Sequence, residues 1–300
     1  MRMAATLIGP RAGDLSDTHV DAARAALIRL GAAAISTDWL ATAEAADVTF
    51  EGLDPDQADA AIRGTLGSRP VDCIVQPVEG RRKALLAADM ESTIIEQEML
   101  NEMATLRGRG AEVAQITARA MNGEIDFAAA LAERVAALAG MPEAEIEEAA
   151  SRITIMPGAV QLVRTMKAAG ARTLLLTGGF SIFVDRVAAS LGFDAASSNR
   201  LLFDAAMGER RLAGLAEPIV DAEAKRAWLT DEAVRMGIPL AATLAVGDGA
   251  NDIPMLQAAG LGIAFRARPA IRTAFRARID HADLRSLLYV QGYRAEEILG

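Results

Sequence analysis

Thr243-Leu244-Ala245-Val246-Gly247-Asp248-Gly249-Ala250-Asn251-Asp252-Ile253-Pro254 passes from an apolar run into a glycine loop with two carboxylates, then towards a helix with Pro254 at its start. A short apolar run of this kind suits a strand buried on both faces of a parallel sheet. In open α/β sheets, ligands bind beyond the carboxyl ends of the strands, so Asp248 and Asp252 fall where chemistry is expected. Two acids four residues apart suit a hard cation. Magnesium needs few protein carboxylates because it keeps several waters. Taken alone, the loop also reads as a helix N-cap followed by an acid in the first turn. A calcium loop of the EF-hand type is excluded, because its ligand spacing and closing Glu are missing.

Working outward, two more apolar runs end in polar loops. Residues 84–88 lead into Asp89-Met90-Glu91-Ser92-Thr93. An acid at the end of a buried strand is costly unless it is ligated or hydrogen-bonded. Residues 172–176 lead into Thr177-Gly178-Gly179-Phe180-Ser181 and a helix. A hydroxyl and two glycines at a helix N-terminus make a seat for an anion, since free N–H groups point outward and glycine allows close approach. Between these loops and the Asp248 loop lies Lys225, near the start of a helix over 222–236. Each element by itself reads as an ordinary turn or surface residue. Together, in this order and at these strand ends, they form a coherent chemistry. A carboxylate nucleophile and a phosphate dianion repel each other. A magnesium ion shared with Asp89 and Asp248, with Lys225 and the amides after Thr177, would cancel that repulsion.

At these residues the chain resembles the haloacid dehalogenase superfamily, and within it the phosphoserine phosphatases. The resemblance covers roughly residues 84–290. It implies an α/β fold, a Rossmann-like parallel sheet with an inserted helical cap. It makes Asp89 the nucleophile that forms an aspartyl-phosphate, and Glu91 the acid–base group whose backbone carbonyl binds Mg2+. Asp248 matches the metal-binding acid and Asp252 an outer metal contact. Thr177, Gly178 and Lys225 match phosphate contacts, and Asn251 a contact to phosphate and substrate. In the cap, Glu98 resembles the contact to a substrate ammonium, Arg134 the contact to its carboxylate, and Met121 and Phe127 an apolar lid. The charge logic is independent of the family. A zwitterionic substrate needs an anion for its ammonium and a bidentate Arg for its carboxylate.

The implied reaction is hydrolysis of O-phospho-L-serine to L-serine and phosphate, the last step of serine synthesis. Another small phosphorylated amino acid, such as phosphohomoserine, is the alternative substrate. A regulatory amino-acid binder with an inactive core is the alternative of a different class. The chief departure is Glu91, where the family usually carries Asp; Asn101 likewise replaces a usual Asp. One more methylene moves a carboxyl by about 1.5 Å, the scale of a single carbon–carbon bond. Acid–base catalysis is sensitive to such reach.

The rest of the chain divides around this centre. Residues 1–80 read as β-α-β-β-α-β, with strands at 4–8, 34–43, 47–51 and 71–78 and helices at 18–30 and 54–66. They resemble the ACT-like domain of some phosphoserine phosphatases, which implies an amino-acid ligand or a homodimer contact. The catalytic core is expected over 84–98 and 151–300, and the helical cap over 99–150. Further core helices are expected at 159–169, 182–191 and 254–259, a strand at 261–265, and a hairpin over 199–212.

Composition narrows the function classes. The 300 residues are 52% hydrophobic, enough for a large buried core, and carry a formal net charge of −9. That charge excludes a general nucleic-acid binder. The local run Arg266, Arg268, Arg272, Arg276 and Arg278 lacks interleaved aromatics and reads as a solvated face. Two His and one Cys leave no basis for a His-rich zinc site, a Ser-His-Asp triad or an internal disulfide. Cys73 reads as a buried small hydrophobe. No P-loop sequence is present. No apolar stretch is long enough for a membrane span or a signal peptide, so a soluble cytoplasmic protein is expected.

Overall fold

A computed structural model describes residues 1–206 and 208–300. The chain opens with β1 (Met3–Ile8), α1 (Asp17–Arg29), β2 (Ala33–Ala41), β3 (Ala45–Glu51), α2 (Pro55–Leu66) and β4 (Asp72–Pro77). These strands form one sheet in the order β2-β3-β1-β4, with β1 antiparallel to both neighbours and β2 antiparallel to β3. Alternation along β1 splits its side chains between two layers, as the period of a strand requires. Met3, Ala5 and Leu7 pack in a cluster with Val20, Leu27 and Ile62 from α1 and α2. On the opposite face, Ile8, Leu40, Ala45 and Ile74 join the main core of the molecule.

That core is built on β5 (Leu85–Ala88), whose four residues are all buried. After it come four helices, α3 (Met99–Leu106), α4 (Gly110–Met121), α5 (Phe127–Ala136) and α6 (Glu143–Ser151). The chain returns through α7 (Ala159–Ala168), β6 (Arg172–Phe180), α8 (Ser181–Leu191) and β7 (Ala195–Asn199). A two-stranded hairpin follows, β8 (Leu201–Ala206) with β9 (Glu209–Leu215). Its expected tip residue, Met207, lies outside the described residues. Next are α9 (Ala222–Met236), β10 (Thr243–Gly247), α10 (Ile253–Ala258), β11 (Leu261–Phe265), α11 (Pro269–Ala274), β12 (Arg278–Ile279) and α12 (Ser286–Val290).

Six strands make a parallel sheet in the order β12-β11-β10-β5-β6-β7. From β5 the chain moves first to β6 on one side, then to β10 on the other. The reversal puts a crevice at the carboxyl end of β5, where such sheets bind ligands.

Beyond the unexpected β7, α11, β12 and α12 and small shifts of element ends, two features differ from the sequence reading. β6 continues through Thr177-Gly178-Gly179 to Phe180, with a register shift against β7 between Leu176 and Phe180. The presumed loop is therefore an irregular strand end. The hairpin, expected as part of the core, forms its own small sheet and packs on α5 and α6. Gly140 N–H donates to the Leu212 carbonyl at 2.8 Å, and Leu212 N–H donates to the Met141 carbonyl at 2.8 Å. Two excursions from the parallel sheet thus meet above it. Among the described residues, no helix is long and apolar enough to cross a membrane.

Candidate active site

Asp89 follows the last residue of β5 and is 3% exposed. Its N–H donates to the Val246 carbonyl at 3.0 Å, which ties the loop after β5 to β10. Lys225 reaches it from the first turn of α9, whose start is fixed by the Asp221 carboxylate accepting from Ala224 N–H at 2.9 Å. Lys225 Nζ donates to Asp89 Oδ1 at 2.5 Å and to Asp252 Oδ1 at 2.8 Å, and Lys225 is wholly buried. Asp252 also accepts from Gly249 N–H at 3.1 Å. Asp248 is half-buried at the end of β10. Carboxylate oxygens of Asp89, Asp248 and Asp252 lie within 4.8 Å of one another. Among the described residues, this trio forms a group that could hold a metal ion.

Three acids crowd one ammonium that bonds two of them, and the electrostatics follow from that ratio. Burial pushes the Asp89 carboxyl well above its ordinary range, and Asp252 and Asp248 push it further; Lys225 only partly offsets them. Asp248 is pushed up to about 7 by burial, then by Asp252 and Glu98. Burial opposes the charge of Lys225, but Asp252 and Asp89 outweigh it and hold the ammonium above its usual range. An all-oxygen donor set with surplus negative charge fits a hard divalent cation such as Mg2+.

The other expected residues surround this cluster in two groups. Thr177 is buried on β6, and its Oγ1 accepts from Gly179 N–H at 3.0 Å. Gly178 sits under the lid: a Cβ there would lie 3.0 Å from the Phe127 ring. Phe127 begins α5, capped by Asp126 accepting from Ala129 N–H at 2.7 Å. Asn251 is half-buried in the loop that carries Asp248. Met121 ends α4 and is 69% exposed, with its Sδ 4.0 Å from Arg268 Nη1. Phe127 therefore lies over Gly178, while Met121 stays largely exposed.

Glu91, Glu98 and Arg134 form the second group. Glu91 Oε1 accepts from Met99 N–H at 2.8 Å at the start of α3. Glu98, the N-cap of α3, accepts from Ser92 Oγ at 2.8 Å. Glu91 is pushed up to about 7 by burial and by Glu98, against the hydrogen bond from Met99. Arg134 is half-buried on α5, with Nε donating to the Ala130 carbonyl at 3.1 Å. Burial lowers its pKa, and Glu91 and Glu98 work against that shift from across the cleft.

Several contributors escape a reading of the sequence. Ser92 holds Glu98 from a backbone with φ of 55°, unusual for a side chain other than glycine. Asn199, 1% exposed, donates from Nδ2 to the Gly178 carbonyl at 2.8 Å and accepts at Oδ1 from Val220 N–H at 2.7 Å. It pins the end of β6 to the segment that leads into Lys225. Its strand, Ala-Ala-Ser-Ser-Asn, carries no apolar run to announce it. Arg268, assigned to a solvated face, lies close enough to lower the Asp248 pKa. The only advance signal for it is its place just after the buried strand β11.

Comparison with known proteins agrees with this geometry. Residues 86–257 match the haloacid dehalogenase-like hydrolase family. The chain is 41% identical over 218 residues to phosphoserine phosphatase SerB2 of Mycobacterium tuberculosis, covering 73% of this chain and 53% of that protein. It thus spans little more than half the length of that relative. It is 42% identical over 205 residues to the phosphoserine phosphatase of Idiomarina loihiensis, covering 68% of this chain and 91% of the relative. A haloacid dehalogenase family hydrolase from Salmonella enterica serovar Typhi superposes with a TM-score of 0.84 at 28% identity, over 96% of this chain and 98% of that one. A phosphoserine phosphatase solved as a phospho-aspartyl intermediate analogue superposes with a TM-score of 0.63 at 36% identity, over 69% of this chain and 98% of that one. From its strand ends to its cap, the chain belongs to the haloacid dehalogenase-like hydrolase family, among the members related to phosphoserine phosphatases.

Proposed function

We propose that the protein hydrolyses O-phospho-L-serine to L-serine and phosphate through an aspartyl-phosphate on Asp89, the last step of L-serine biosynthesis. The observation that carries the reading is the clustering of Asp89, Asp248 and Asp252 at the carboxyl ends of β5 and β10, with Lys225 bonded to Asp89 and Asp252. Mg2+ held by Asp89, Asp248 and the Glu91 carbonyl, with Asp252 as an outer contact, would supply charge that offsets the repulsion between carboxylate and phosphate.

The chain's own residues perform the rest. Lys225, Thr177, the Gly178 backbone and Asn251 bind the phosphate. Glu98 takes the substrate ammonium and Arg134 its carboxylate. Phe127 and Met121 limit water. An Asp89 oxygen bonds to phosphorus as the ester P–O bond breaks, and Glu91 gives its proton to the leaving serine oxygen. Glu91 then takes a proton from water, which attacks the phosphoaspartate and frees phosphate. A Glu91 carboxyl pushed up to about 7 suits both donation and acceptance near neutral pH.

The reading extends to the rest of the chain. Residues 84–98 and 151–300 form the catalytic core, 99–150 the cap, and 1–80 an ACT-like unit. The β2-β3-β1-β4 order, with helices on one face, supports the last assignment. That unit would bind an amino acid or a second copy of the chain. A reducing cytoplasmic setting suits the buried thiol of Cys73, pushed up to about 12 by burial.

The test is phosphate release from phosphoserine, phosphohomoserine and a set of sugar phosphates, with and without a chelator. Phosphoserine should be preferred, and chelation should abolish turnover until Mg2+ is restored. Equal rates on sugar phosphates would remove the serine assignment, and turnover indifferent to chelation would remove the metal.

A further inference from the structure

The substitution of Glu for the usual Asp at position 91 raises a question of space. The longer side chain must put its carboxyl near the reacting oxygen without displacing the backbone that carries Asp89. The structure shows where the extra length goes. Glu91 Oε1 accepts from Met99 N–H at 2.8 Å, and the carboxyl lies over Gly179. A Cβ at residue 179 would find three Glu91 atoms as its nearest neighbours: Oε2 at 3.1 Å, Cδ at 3.2 Å and Oε1 at 3.3 Å. These separations are shorter than ordinary van der Waals contact between such atoms.

Gly179 does not occupy the left-handed backbone region, so no backbone reason requires glycine there. Its N–H is already held by Thr177 Oγ1 at 3.0 Å, a bond that any residue could make. What glycine supplies at this position is empty space under one carboxyl group. The adjacent Gly178 supplies space to a different side chain, the Phe127 ring of the cap. The two glycines therefore have separate occupants.

We propose that Gly179 is a positioning residue for the acid–base group: its missing side chain opens the space that the longer Glu91 fills, and the two residues are a matched pair. This rests on the phosphatase reading of Glu91. Alanine at 179 pushes the carboxyl sideways, out of line with the leaving oxygen. Because Glu91 is the flexible partner, the carboxyl moves and the strand stays.

The test is a set of variants, Gly179→Ala, Glu91→Asp and the double change, assayed with phosphoserine and p-nitrophenyl phosphate. Gly179→Ala should lower kcat on phosphoserine by about 10- to 100-fold, a partial loss of the roughly 10²- to 10⁴-fold attributed to general acid–base catalysis. The nitrophenolate burst should fall less, because that leaving group needs no proton. Adding Glu91→Asp to Gly179→Ala should recover activity several-fold, since the shorter acid clears the new methyl group. Unchanged kcat in Gly179→Ala, equal losses on both esters, or a double variant worse than either single one would overturn the pairing.

Thermal melting gives a readout without catalysis. Gly179→Ala should lower the melting temperature when Glu91 is present and leave it unchanged in a Glu91→Ala background. An equal drop in both backgrounds would overturn the proposal. If the wild-type protein released no phosphate from either ester, the phosphatase reading would fail, while the melting comparison would still decide whether the two residues are paired.

Discussion

Two regions of this molecule bury carboxylates, and they treat them in opposite ways. Where the N-terminal sheet meets the core, Asp72 accepts backbone N–H groups from Asp280 at 2.8 Å, His281 at 3.1 Å and Ala282 at 2.9 Å. Beside it, Asp47 accepts from Thr6 Oγ1 at 2.7 Å and from Arg81 Nη1 at 2.6 Å. Each acid there has its own partners. In the cleft, Asp89, Asp248 and Asp252 crowd together, and the single ammonium of Lys225 bonds only Asp89 and Asp252. The bonds of Asp72 and Asp47 join one part of the fold to another, although burial still pushes both carboxyls above their ordinary range. Unbalanced burial stores repulsion that a bound cation or a passing proton can relieve. The difference in accounting, rather than burial itself, marks the reactive end of the sheet.

The sharpest way to break this contrast is to remove one charge from each region. Asp89→Asn should abolish phosphate release, by at least about a thousandfold on the scale of lost nucleophiles. The same change should stabilise the metal-free fold by about 1 kcal/mol, a common gain when a strained functional group is neutralised. The sign follows from the raised Asp89 pKa: the ionised form is disfavoured in the folded state, so a neutral isostere relieves it, while Asp252 stays bonded to the Lys225 ammonium that Asp89 also holds. Activity assays and thermal melting check the two halves. Asp72→Ala should do the reverse. It strands three backbone N–H groups and should cost about 3 kcal/mol or more at a typical penalty for unsatisfied donors. Denaturant midpoints should move, while kcat per folded molecule should not. A destabilising Asp89→Asn would mean that the cleft is balanced after all.

Both regions differ in how far the sequence exposes them. β5 and β10 are legible because a buried parallel strand must be a continuous apolar run. Asp89 and Asp248 could be placed near one another from strand ends alone, since the crevice position is a property of the topology, whereas Lys225 drew its weight only from its place in the order of elements. β7 was not legible: Ala195–Asn199 contains only Ala, Ser and Asn, and its strand state comes from pairing with β6. The short α11, β12 and α12 carry too few residues for a period to show. The packing of β9 on α5 and α6 joins residues far apart in sequence, which no local pattern encodes. The contributions of Met99 and Gly179 are a backbone N–H and a missing side chain. Met99 leaves no mark on residue type, and Gly179 reads in the sequence only as part of an anion seat, not as space for Glu91. Asp72 is similar, for its partners are three consecutive backbone amides.

Cation binding sharpens the contrast at a smaller scale. Mg2+ should raise the melting temperature of the wild-type protein, because a ligand that binds only the folded state stabilises it by about 2.7 kcal/mol at one hundred times its dissociation constant. In Asp248→Asn most of that gain should vanish, whereas in Asp72→Asn it should persist in full. Calorimetry or fluorescence melting across a magnesium titration checks this. An equal gain in Asp248→Asn would place the bound ion elsewhere.

The smallest expected effect concerns a balanced acid at the surface. Asp194 accepts from Lys167 Nζ at 2.6 Å, from Thr173 N–H at 2.9 Å and from Thr173 Oγ1 at 3.0 Å. Partial burial pushes its pKa up, but Lys167 and Thr173 outweigh it, and the net shift is downward from 3.8. A depressed folded-state pKa adds stability above the unfolded value, and that stability is lost as pH falls through the folded value. Asp194→Asn should therefore cost less than about 1 kcal/mol at neutral pH, as exposed pairs do. The cost should shrink towards zero below the folded-state pKa, where the wild-type carboxyl is protonated too. A pH series of denaturation midpoints for the two proteins would show the curves converging in acid. Parallel curves would mean that the Asp194 charge contributes nothing, and that the loss comes from packing alone.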